Sequence, residues 1–253
     1  MKNRWSWLAL GVGAYLAFAL STFPAGTAVR WFVPPPVVLT GVQGTVWSGS
    51  AAGGMIGGVP VQDVRWHVRP WTVLTGRVGA NLEARLADGF LNTGITASTS
   101  RVQFNDLRGG TSLATIALLL PVRGMRGQAS VALSSIEFEN GWPEQILGEL
   151  KLAALEVASF VPSGGSSSQV PLGDYTVTFG AAPARSISAR FVDNGGPLEV
   201  AGTLVMSPAH EYTFDALIKP RDGAAKDLVD GLNIMTADPD ADGRRRLTLT
   251  GSL

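Results

Sequence analysis

Val64, Trp66 and Val68 alternate with Arg65, His67 and Arg69, so VQDVRWHVR has one apolar and one basic face and predicts a half-buried strand. From Val37 onward such short segments recur between glycines: VVLTGVQGTVWSG, RVGANLEARL, YTVTF, RSISARFVD and PLEVAGTLVM. PEQILGELKLAALEVASF, residues 143–160, fits a helical period in part, but Gly148 and the alternation of Leu150 and Leu152 favour a strand. Three times a strand leads into a short helix-like piece, a glycine and another strand. The pieces are WTVLT ended by Gly76, TSLATIALLL broken by Pro121 and Gly124, and DGAAKDLVDGLNIM before RRRLTLTGSL. The expected fold is mainly β: an extended, curved antiparallel sheet with a few short helices.

The first residues break this pattern. Lys2 and Arg4 precede an uncharged stretch from Trp5 to Val29, whose apolar centre LALGVGAYLAFALSTF is at the short end of what crosses a bilayer. The two cations and Trp5 and Trp7 predict a single-pass anchor with a cytoplasmic N-terminus and the bulk of the chain on the far side. A cleavable signal peptide, processed near Ala25, Gly26 and Ala28, is the alternative, but the apolar span exceeds a usual signal core. The organisation expected is an anchor over 1–29, a stiff Pro34-Pro35-Pro36 spacer, and a β-rich domain over 30–253 with a flexible loop at 163–169 (SGGSSSQ).

Composition agrees with strands and turns: 45% hydrophobic, 16% charged and 31 glycines in 253 residues. The net charge is zero, yet residues 1–130 carry 11 Lys+Arg against 4 Asp+Glu and residues 131–253 carry 9 against 16. No concentrated basic patch suits nucleic acid, since only Arg244-Arg245-Arg246 comes close. With no cysteine, thiol catalysis, disulfides and Cys-ligated metals are excluded.

Chemical motifs are missing too. His67 and His210 lack the HExxH spacing; Ser48 and Ser50 lie in a glycine-rich setting without GxSxG; and GxxxxGK[ST] does not occur. DPDADG places Asp238, Asp240 and Asp242 at the first three positions of a calcium loop, with Gly243 at its turn. Position 12 is Leu249 inside a strand, which favours a plain helix-to-strand turn over a cation site. Trp66 and Trp71 are expected on the apolar sheet face. Trp47, near the glycine-rich edge, is a candidate contact residue, as are Arg65, His67 and Arg69 on the basic strand face.

Taken in order, several stretches resemble the type II secretion system protein N family. They are the N-terminal apolar segment, GTVWSG at 44–49, VRWHVRPWTVLTGRV at 64–78 and LRGGTSLATIALLLPVRGMRGQASVAL at 107–133. NGWP at 140–143, GGPLEVAGTLVM at 195–206 and DPDADGRRRLTLTGSL at 238–253 complete the set. The resemblance implies a bitopic inner-membrane protein with a periplasmic β-rich domain, partnering other secretion subunits, with no enzymatic activity and no cofactor. It also implies structural roles for Gly44, Trp47, Gly49 and Gly243. The competing expectation is a β-groove protein that binds or conducts lipid, since a curved sheet with one apolar face can hold acyl chains.

Overall fold

A computed structural model describes residues 2–32, 36–73, 75–120, 124–158, 169–182, 185–236 and 238–252. Two helices, α1 (Lys2–Ser21) and α2 (Ala25–Phe32), precede one 14-stranded antiparallel sheet. Its first strands are β1 (Val37–Thr40), β2 (Gln43–Gly44), β3 (Ser48–Ile56), β4 (Val59–Arg69), β5 (Val78–Leu86), β6 (Gly89–Ala97) and β7 (Arg101–Ser112). The remainder are β8 (Arg126–Glu139), β9 (Trp142–Ala158), β10 (Gln169–Gly180), β11 (Ile187–Asp193), β12 (Leu198–Met206), β13 (Glu211–Pro220) and β14 (Arg245–Ser252). From β3 onward each strand pairs with the next; β1 closes one edge against β3, and β2 pairs with β3 beside it.

In this meander the connections alternate between two ends of the sheet. One end, which receives α1, carries residues 45–47, 70–73, 75–77, 98–100, 140–141 and 207–210. The other carries 57–58, 87–88, 113–120, 124–125, 194–197, 221–236 and 238–244. Helix α3 (Pro70–Val73) sits at the first end; a 3-10 turn (Ala117–Leu119) and α4 (Lys226–Met235) sit at the second.

The inward face is apolar across the sheet: Leu91, Gly109, Val131, Leu150, Val177 and Phe191 are successive register partners. At the second end that face is covered. Leu228 and Leu232 of α4 pack with Val157, Val170, Leu198 and Ile218, and Leu113, Ile116 and Leu120 cover Leu155 and Tyr175. Burial pushes the Tyr175 hydroxyl up to about 12.

β-Bulges keep the pattern in phase. Val61 and Val64 are both buried although three residues apart, because Asp63 takes a left-handed φ of 45° and the β4–β5 register shifts there. The ambiguous 143–160 stretch is strand β9. Its Gly148 has φ 132°, and a Cβ there would lie 2.3 Å from the Ala132 carbonyl oxygen, so the glycine marks a close approach inside a strand.

Three expectations need correction. The apolar N-terminal stretch is two helices: Pro24 cannot continue α1, and its carbonyl instead accepts the Ala28 N–H that opens α2. Among the described residues no helix is long and apolar enough to cross a membrane. The apolar part of α1, Trp5 to Leu20, extends only about 24 Å at roughly 1.5 Å per residue, against a hydrocarbon core of about 30 Å. Trp71 is 78% exposed rather than on the apolar face, because α3 buries none of its residues. The helix-like TSLATIALLL forms only the short 3-10 turn, and GFLNTGITA forms strand β6.

Pro34 and Pro35 lie outside the described residues, as do residues 163–168; Pro36 precedes β1 and Gln169 opens β10.

Candidate functional site

The ribbon GTVWSG forms the joint between α1 and the sheet. Gly44 has φ 88°, and a Cβ on it would meet the Ser48 carbonyl oxygen at 2.6 Å, so only glycine turns the chain here. At Gly49 a Cβ would fall 2.4 Å from the Trp66 ring, which fills that space. The ribbon so formed bridges Thr45 to Pro24, receives Phe23 O at the Val46 N–H (3.1 Å), and donates the Trp47 indole N–H to Leu20 O at 2.7 Å. That carbonyl is one of the groups a helix end leaves without an intrahelical partner. Trp66 remains half-buried in the adjoining apolar cluster and donates to Thr45 O at 3.3 Å. Trp47 O accepts the Val68 N–H at 2.7 Å, so its backbone joins β4 between His67 and Arg69 while its indole is directed at α1.

Arg65, His67 and Arg69 do fall on one outward face of β4, all exposed. Their register neighbours on β5 are Glu83, Asn81 and Gly79; Ser50 and Ser48 of β3 lie on the other side. Arg69 donates to Asn81 Oδ1 at 3.2 Å, and Arg85 pairs with Asp63 at 3.2 Å one step further along. The row is open and carries two guanidinium groups, with Glu83 beside Arg65 as its acidic register neighbour, and it suits an acidic or polar surface rather than bond-making chemistry.

Asp238, Asp240 and Asp242 do not gather. Asp240 Oδ1 accepts the N–H groups of Asp242 (3.0 Å) and Arg244 (2.8 Å), making a side-chain-stabilised turn before β14 with Gly243 at φ 76°. Among the described residues no group of three or more His, Cys, Asp or Glu is placed to hold a metal.

Three features were not singled out in the sequence. An almost wholly apolar cavity of about 280 Å³ runs across the inward face, lined by Val61, Leu86, Leu91, Val131 and Leu150 and roofed by Ile116 and Leu119 of the 113–120 segment. That roof is held at its base by Asp88, which accepts from Thr111 Oγ1 (2.7 Å), Thr115 Oγ1 (2.9 Å) and the Ser112 N–H (3.3 Å). Hydrogen bonds from Ser112 and Thr111, reinforced by Thr115, lower its pKa to about 2.

At the opposite end Arg185 reaches Glu139 (2.7 Å) and Glu144 (3.0 Å), and Trp142 meets His210 edge-on with centroids 4.4 Å apart. These contacts join turns separated by several strands, so the sheet curls there. The two carboxylates diverge. Hydrogen bonding with Glu144 and Arg101 holds Glu139 below its ordinary value, while burial and the contact with Glu139 push Glu144 up. Pattern reading cannot find such contacts, because each depends on how far the sheet curls.

Residues 35–248 match the family described as "Type II secretion system (T2SS), protein N". The chain is also 26% identical over 260 residues to type II secretion system protein N of Aeromonas hydrophila, an alignment covering 100% of both chains. No solved structure matches it.

Proposed function

The chain belongs to the type II secretion system protein N family, and we propose that it is a non-catalytic, inner-membrane-anchored periplasmic subunit supporting export of folded proteins across the outer membrane. The observation that carries the reading is the extent of the family match, which takes in every strand of the sheet except the end of β14. In this reading the protein contributes contacts rather than chemistry. The outward row Arg65, His67 and Arg69 offers a charged face to other secretion subunits, and β1 and β14, which close the order of the described strands, offer edges for strand addition. Trp47 acts beside them by fixing where the sheet stands relative to α1.

Anchoring by α1 completes the proposal. Trp7, Leu10, Val12, Tyr15, Phe18 and Leu20 are 57–71% exposed on all sides of the helix, an arrangement that needs lipid or another helix around it. In this reading the cations Lys2 and Arg4 favour a cytoplasmic side for that end. Because α1 alone is short for a bilayer, the reading requires local thinning of the membrane or burial of the 22–24 joint in the interface. The test is photocrosslinking in cells from an unnatural residue at position 65 or 69. Adducts with inner-membrane or periplasmic secretion subunits are expected, and recovery of the protein alone would count against the contact surface.

A further inference from the structure

We propose that the trough beneath the 113–120 segment is a binding site for the hydrocarbon tail of a single acyl chain, closed by that segment acting as a flap. Its floor draws on six consecutive strands, β4 to β9, so it extends roughly 24 Å along the curved face at about 4.8 Å per strand. Val61, Leu86, Leu91, Val131 and Leu150 line it in succession.

The floor determines the chemistry of the occupant. Each of these strands is paired on both sides, so its backbone N–H and C=O groups are taken up in the sheet. Thr111 is the one hydroxyl in the lining, and it is engaged with Asp88. An inserted peptide would bring its own N–H and C=O groups into a space with nothing to pair them, and an ionised group would fare worse. A hydrocarbon chain has no such groups, and an unbranched one follows a long, curved trough. The headgroup of the lipid stays outside.

The flap is built to open. Its base is clamped by Asp88, and the Leu113 N–H bonds Gly127 O at 2.9 Å. Thr115 donates to Ser112 O at the end of β7, and beyond that Ala117, Leu119 and Leu120 donate to carbonyls three residues back within the flap itself. The tip rests on the β3–β4 turn, where a Cβ on Gly58 would be 3.2 Å from Leu118 Cδ1. Leu118 and Leu119 are 79% and 60% exposed, an apolar lip at the entrance. Ile116 and Leu120 also pack against Leu155 and Tyr175, so lifting the tip gives up side-chain contacts but no hydrogen bond of the sheet.

The site is independent of the secretion role. The experiment uses the full-length protein in membranes and palmitate carrying a photoreactive diazirine in its tail, with adducts mapped by mass spectrometry. Labelling of inward residues such as Leu91, Val131 and Leu150 is expected at several times the level on outward residues of the same strands. Val131→Trp, which fills the trough, should cut that labelling at least fivefold, whereas Ser130→Trp, one residue away and outward, should leave it unchanged. If melting curves show that Val131→Trp unfolds, Ala129→Met serves as the filling variant. Adducts confined to α1, adducts spread evenly over both faces, or labelling indifferent to filling would each overturn the proposal. None of these results bears on whether the protein supports secretion.

Discussion

Trp47 ties the first helix to the sheet through one indole N–H directed at Leu20 O. Trp47→Phe keeps an aromatic ring, though a smaller one, and removes the donor, so it should cost about 1 kcal/mol at this joint. Faster proteolysis around Thr22–Pro24 with an unchanged melting temperature for the sheet is the expected result; unaltered proteolysis would mean the joint is held by other contacts. Asp193 is more demanding. Its side chain is 6% exposed, and it accepts from Arg221 (2.6 Å), the Val200 N–H (2.8 Å) and the Gly195 N–H (3.1 Å). Burial alone would raise its pKa, but these bonds outweigh burial and hold it lower. Arg221 is 39% exposed, so breaking the pair by Asp193→Ala should cost about 2 kcal/mol, below the range for fully buried pairs; a loss under half that in urea unfolding would contradict it. Asp88 supplies a pH signature. Its folded pKa of about 2 lies below the reference 3.8, so its stabilisation is complete above pH 3.8 and disappears as pH falls toward 2. Hydrogen exchange of residues 113–120 in wild type and Asp88→Asn should therefore differ at neutral pH and converge near pH 2.

At the scale of elements, the alternation of Val64, Trp66 and Val68 with Arg65, His67 and Arg69 reads straight through into β4, because strand parity is local. What alternation cannot show is the phase change at Asp63, which brings Val59 and Val61 to the same face as Val64. Asp63→Val, whose branched Cβ resists a positive φ, should destabilise the bulge and lower the melting temperature, while Asp63→Gly, which accepts a positive φ at no steric cost, should fold as wild type. The strands with clear alternation and glycine boundaries were legible. β6 was not, since GFLNTGITA lacks a clean alternation: Phe90 and Leu91 are adjacent, and the next inward position is the buried Thr93. The helix at Ala25–Phe32 was hidden for another reason: an apolar stretch does not reveal where Pro24 divides it.

Across the whole molecule, a meander whose inward face is apolar from one edge to the other is what repeated short alternating segments imply, and that much was legible. The flap, its Asp88 clamp and the Arg185 contacts with Glu139 and Glu144 depend on curvature summed over many strands, which no local pattern encodes. The order of motifs, more than any single motif, carried the family, and the match over residues 35–248 bears this out. The central claim is that this sheet serves protein secretion. The most direct measurement is an in-frame deletion in the host, with exoproteins quantified in the culture supernatant and in the periplasm. Retention in the periplasm, reversed by the wild-type gene and only weakly by a variant with Arg65, His67 and Arg69 all changed to Ser, is the predicted result; normal exoprotein levels in the supernatant of the deletion strain would contradict the claim.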